Sequence, residues 1–101
     1  MPVITSRINP HSPGFQENAL HHRALSEDLE RLLSRIREGG GTQAVARHKA
    51  RGKLTARERI NALIDPGSPF LELAPLAAHD VYGEDVAAAG IVAGIGRVST
   101  R

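Results

Sequence analysis

The chain has 101 residues, 41% hydrophobic and 24% charged, which suits one small domain and lies far from the disordered class. It has no cysteine, so disulfide, thiolate–metal and cysteine-nucleophile chemistry are excluded. Net charge is only +2, no apolar run approaches the roughly 20 residues that span a bilayer, and Met1–Arg7 carries no apolar signal core; a soluble, reducing, cytoplasmic setting is expected.

Residues 1–14 contain Pro2, Pro10, Pro13 and Gly14 without an apolar period, and read as an extended arm. Ser12-Pro13 is placed to cap a helix over about 15–38, with proline in the first turn. There Leu25, Leu29, Leu32, Leu33 and Ile36 form one stripe at helical spacing. Little elsewhere in the chain is available to cover that stripe, since Phe15, Phe70 and Tyr82 are the only aromatics. Gly39-Gly40-Gly41 ends the helix.

Thr42 is the expected cap of a short helix over about 43–50, broken by Arg51-Gly52-Lys53. Thr55-Ala56-Arg57-Glu58 has the spacing of a capping box and opens a helix over about 55–64, with Ile60, Leu63 and Ile64 on one side. Asp65-Pro66-Gly67-Ser68 reads as a turn. Strands are expected over about 70–73 and 86–98, the second with Gly94 and Gly96 packed close under neighbouring groups. A lone strand leaves unpaired edges, so the sheet looks incomplete within this chain.

Most chemistry-bearing residues have an ordinary explanation. Gly90, Gly94 and Gly96 do not have the spacing of a dinucleotide loop, because Ser99 stands where the third glycine belongs and no helix follows. His11, His21, His22, His48 and His79 read as surface residues; His21 and His22 are adjacent and so cannot chelate from one helical face. No metal site is expected. Asp80, Glu84 and Asp85 read as solvated loop charges rather than an acid–base pair.

The basic block stands apart. Between Arg31 and Arg59 nine lysines and arginines are opposed only by Glu38 and Glu58. Arg47, His48, Lys49, Arg51 and Lys53 surround a glycine just before the capped helix start at Thr55. Cations beside a helix N-terminus suit a phosphate. A solvated face, or arginines that bridge subunits, explains the same block. Nucleic acid is the weakest fit, since no aromatic lies there for a base to stack on.

The run Arg47-His48-Lys49-Ala50-Arg51-Gly52-Lys53-Leu54-Thr55-Ala56-Arg57-Glu58-Arg59-Ile60 resembles the signature near the start of the β (carboxyltransferase) subunits of biotin-dependent acyl-CoA carboxylases. Asp65-Pro66-Gly67-Ser68-Pro69-Phe70-Leu71-Glu72-Leu73 and Gly90–Val98 continue the likeness in order, and Ile8-Asn9-Pro10 and the triple glycine also match. Ser68–Leu73 and the short loop at Tyr82-Gly83 resemble the methylcrotonoyl-CoA branch, with the geranoyl-CoA branch still open.

The resemblance implies an α+β segment: N-terminal helices leading into the first strand of a crotonase-like (ClpP/crotonase) domain that is incomplete in this chain. Residues 15–101 would be the N-terminal part of the first carboxyltransferase domain, following the 1–14 arm. It implies carboxyl transfer from biotin, carried and charged with ATP on a separate α subunit, to an acyl-CoA such as 3-methylcrotonoyl-CoA of leucine degradation. Its partners would be that α subunit and further β subunits, with no nucleic acid or membrane, in the mitochondrial matrix of a eukaryote. The family's oxyanion-forming loops lie beyond the matched stretch, so no catalytic residue is expected here and the segment alone would be inactive. Arg47, Arg51 and Lys53 are the expected contacts to the CoA phosphates. The alternative from another class is a small basic RNA- or protein-binding adaptor.

Overall fold

The computed structural model describes residues 1–83 and 86–100. Its elements are α1 (Pro13–Arg37), α2 (Thr42–Ala50), α3 (Ala56–Leu63), β1 (Phe70–Leu73), a 3-10 turn (Ala87–Gly90) and β2 (Ala93–Gly96). Two compact units divide inside α1, Met1–Leu32 and Leu33–Arg101.

In the first unit the Ser12 hydroxyl accepts the Phe15 N–H at 3.2 Å and donates to the Asn9 carbonyl at 2.9 Å. Pro13 takes the first helical position, where its missing N–H has no partner to lose. Leu25 and Leu29 of the apolar stripe are exposed, and Asp28 pairs with Arg31 one turn on.

In the second unit α1 ends with Arg35 and Arg37 in its last turn, where cations complement the helix dipole. Gly39, at φ 72°, closes it by donating to the Ile36 carbonyl at 3.0 Å. The cap of α2 is Gly41 rather than the predicted Thr42. At φ 92° and ψ 164° Gly41 adopts a backbone that side chains disfavour, so the chain enters the helix one residue early and Thr42 makes no side-chain cap bond. Thr55 caps α3 through both arms of the predicted box: its hydroxyl accepts the Glu58 N–H at 3.3 Å, and its N–H donates to Glu58 Oε2 at 2.9 Å.

Asp65–Ser68 forms a turn closed by the Ser68 N–H on the Asp65 carbonyl at 3.0 Å. Pro66 and Gly67, the latter at φ 73°, occupy its centre as a type II turn requires. It leads into β1, which pairs antiparallel with β2: Phe70 opposite Gly96, Leu71 opposite Ile95, Glu72 opposite Gly94, Leu73 opposite Ala93. The expected strand over 86–98 is therefore corrected to Ala93–Gly96. Ala87–Gly90 makes a 3-10 turn instead, closed by the Ile91 N–H on the Ala88 carbonyl. The strand is also not alone, because its glycines admit a partner. A Cβ at Gly94 would collide with the Phe70 ring and the Leu71 carbonyl, and one at Gly96 would lie 2.8 Å from Ile64 Cγ2. These two glycines let the Phe70 ring lie across β2.

Beyond β2 the chain is tied back to the turn. Asp65 donates its N–H to the Arg97 carbonyl at 2.8 Å and pairs with Arg97 Nε at 3.2 Å. Its two carboxylate oxygens accept the Ser99 and Thr100 amides, each at 2.7 Å. Ser99 and Thr100, at φ 51° and 66°, form a small cradle of N–H groups around the anion. Among the described residues the buried hydrophobics are Ile36 and Ala88.

Candidate functional site

The helix–loop–helix of α2 and α3 places the basic block. Arg47, His48 and Lys49 form the last turn of α2, where their charge complements its C-terminal dipole. The chain then breaks at Gly52, at φ 75°. His48 spans the break, its Nε2 lying 2.8 Å from the Leu54 carbonyl. That bond fixes the loop that carries Arg51 and Lys53 toward Thr55.

Two carboxylates divide the cations. Lys49 Nζ lies 2.6 Å from Glu58 Oε1, while Glu58 Oε2 is held by the Thr55 amide. The Lys49 hydrogen bond first, then the Thr55 amide, depresses the Glu58 carboxyl to about 2. Arg57 forks onto Glu72 with two bonds of 2.8 Å, across α3 and β1. That pair is the more enclosed, with the Arg57 and Glu72 side chains 25% and 15% exposed. The fork lowers the Glu72 pKa against the opposing effect of burial, with Arg37 adding a smaller pull, and raises that of Arg57. Glu72 faces inward beside Phe70, while Leu71 and Leu73 face out.

Arg47, Arg51 and Lys53 are exposed. Within the second unit lies a cleft of about 980 Å³, lined on one side by α2 and α3 residues that include Val45, His48, Lys49, Thr55 and Glu58, and on another by Val86–Ala88 and Gly90–Val92. The three predicted phosphate contacts are not among its lining residues, whereas His48, Lys49 and Arg57 are. The structure thus brings together Lys49, Thr55 and Glu58, and separately Arg57 and Glu72. Sequence reasoning missed Glu72 as a partner; the available signal was a carboxylate at the inward position of a four-residue strand. Of the predicted acidic cluster, Asp80 is exposed, and Glu84 and Asp85 lie outside the described residues. No group of three or more metal-ligating side chains occurs among the described residues, and no helix among them is long and apolar enough to cross a membrane.

Residues 47–101 match the carboxyl transferase domain, and the chain belongs to that family. It is 51% identical over 90 residues to the biotin-dependent 3-methylcrotonyl-coenzyme A carboxylase beta1 subunit of Mycobacterium tuberculosis, covering 89% of this chain and 16% of that protein. The fold is similar to the geranyl-CoA carboxylase beta subunit of P. aeruginosa, with a TM-score of 0.82 and 32% identity over 98% of this chain and 18% of that one. It is also similar to the transcarboxylase 12S hexamer, solved with methylmalonyl-coenzyme A and methylmalonic acid bound, with a TM-score of 0.68 and 36% identity over 75% of this chain and 15% of that one. The chain spans about a sixth of the length of the curated relatives it matches.

Proposed function

We propose that this sequence serves as the N-terminal segment of a carboxyltransferase subunit that moves a carboxyl group from carboxybiotin to 3-methylcrotonoyl-CoA. The observation that carries the proposal is the 51% identity to a 3-methylcrotonyl-coenzyme A carboxylase subunit over nearly the whole chain. The helices and β1–β2 would then open a crotonase-like domain, biotin would arrive on a separate α subunit, and further β subunits would complete the core. The hexameric state of transcarboxylase 12S supports the last point. The segment's contribution is binding and architecture rather than chemistry. In this role the exposed Arg47, Arg51 and Lys53 meet the CoA phosphates, while Lys49 and Arg57 are held by carboxylates.

The test is a substrate competition in a subunit of the relatives' length bearing this sequence, supplied with biotin-loaded α subunit. Carboxylation should favour 3-methylcrotonoyl-CoA over geranoyl-CoA and propionyl-CoA. A preference for either competitor refutes the assignment. Arg51→Ala or Lys53→Ala should raise KM for the acyl-CoA roughly tenfold with a smaller change in kcat. Dissociation of the oligomer with KM unchanged would instead make the block a surface that bridges subunits.

A further inference from the structure

The loop proposed to meet phosphate already has an anion beside it. Glu58 reaches back from the first turn of α3 and holds Lys49 Nζ at 2.6 Å, with its other oxygen on the Thr55 amide at 2.9 Å. Those are the two kinds of group, an ammonium and a helix-start amide, that a phosphate would use there. Both side chains stay accessible, Lys49 at 53% and Glu58 at 36%, so the pairing can be exchanged for one with a ligand. His48 closes the loop onto Leu54, which keeps Lys49 next to α3. Among the described residues, Glu58 is the carboxylate paired with the cations of Arg47–Lys53.

We infer that Glu58 is an internal counter-anion that withholds Lys49 and the start of α3 from a polyphosphate ligand, and so sets how tightly the basic loop binds the phosphates of a CoA ester. This rests on the phosphate role proposed above for Arg47, Arg51 and Lys53, and gives that role a built-in attenuator. An incoming phosphate meets repulsion from Glu58 unless the carboxylate swings away, which gives up both the Lys49 pair and one arm of the cap. Discharging the carboxylate alone removes the competition for Lys49 and leaves the Thr55 amide capped.

Glu58→Gln isolates the effect, because glutamine keeps the capping-box bond to the Thr55 amide while losing the charge. The experiment is calorimetric titration with coenzyme A of a subunit of the relatives' length bearing this sequence, in the wild type, Glu58→Gln, Lys49→Gln, the double variant and Arg51→Ala. Helix content by circular dichroism should match in wild type and Glu58→Gln. Glu58→Gln should bind coenzyme A roughly threefold to tenfold more tightly, as expected when one exposed ammonium becomes available to a phosphate. Lys49→Gln should stay within about twofold of wild type, because Lys49 is already occupied, and should abolish the tighter binding in the double variant. If Arg51→Ala weakens binding but Glu58→Gln leaves it unchanged, the attenuator is refuted and the phosphate role survives. A Lys49→Gln loss as large as that of Arg51→Ala, or tighter binding that persists without Lys49, also overturns the inference. If no variant binds coenzyme A, both the phosphate role and the attenuator fall.

Discussion

Heating the chain in dilute solution, with nothing to cover it, tests how much of its stability it carries. The accessible surface is 8747 Å². A folded monomer of 10.8 kDa should expose about 5,500 Å², and its unfolded chain about 15,700 Å². The chain therefore buries about 44% of its unfolded surface where about 65% is usual, a shortfall of about 3,200 Å². If somewhat over half of that area is apolar, as on an average protein surface, the missing burial is on the order of tens of kcal/mol gross. Net domain stability is only about 5–15 kcal/mol, so the deficit decides the outcome. The side chains that show it are Leu25, Leu29, Leu71, Leu73, Ile91 and Ile95, all exposed.

The isolated chain should give a partly helical far-ultraviolet spectrum with a broad, gradual melt. Sedimentation should show concentration-dependent self-association through those faces. A monomer that unfolds in one sharp transition, with a calorimetric enthalpy near the roughly 70 kcal/mol of a 100-residue domain, would refute the reasoning.

Other predictions concern single contacts. In a subunit of the relatives' length bearing this sequence, Glu72→Gln removes one side of the enclosed fork to Arg57 and should speed amide hydrogen exchange in β1 roughly tenfold at pH 7, equivalent to a loss of about 1.4 kcal/mol; unchanged protection would show that the fork is not holding α3 to the strand. Because the Glu72 pKa lies below its ordinary value in the folded state, the fork's contribution is present above the ordinary carboxylate range and is lost as pH falls through the lowered value, so the effect of Glu72→Gln should shrink on acidification. Glu58, at about 2, should likewise keep α3 capped through pH 4 and release it only as pH approaches 2; carboxyl resonances that titrate near 4.5 would contradict this. Thr55→Ala should cost α3 about 1 kcal/mol, read as lost helical signal that Thr55→Ser restores. Gly94→Ala should unpair β1 and β2, because its Cβ collides with the Phe70 ring and meets the Leu71 carbonyl at 2.5 Å, whereas Gly96→Ala meets side chains alone, Ile64 Cγ2 at 2.8 Å and the Phe70 ring at 3.2 Å, and should cost less; equal loss of β1–β2 amide protection in the two variants would count against the packing of Phe70 over Gly94.

What could be read from the sequence was local. The Ser12-Pro13 start, the Thr55–Glu58 box and the Pro66-Gly67 turn each arise among residues three or fewer apart, where steric preference and one or two hydrogen bonds settle the conformation. The basic block, too, is contiguous and needs no fold to be seen. Even local reading failed at Gly41, where a backbone reserved for glycine moved the cap off Thr42, and at Ala87–Gly90, where small residues that alternate like a strand close a 3-10 turn. Tertiary structure alone decided which charges are free. Arg57 meets Glu72 across 15 residues, and Asp65 meets the Ser99 and Thr100 amides across 34 and 35. Such pairs carry no spacing rule, because their geometry exists only once Phe70 lies across Gly94 and Gly96 and brings β2 beside β1.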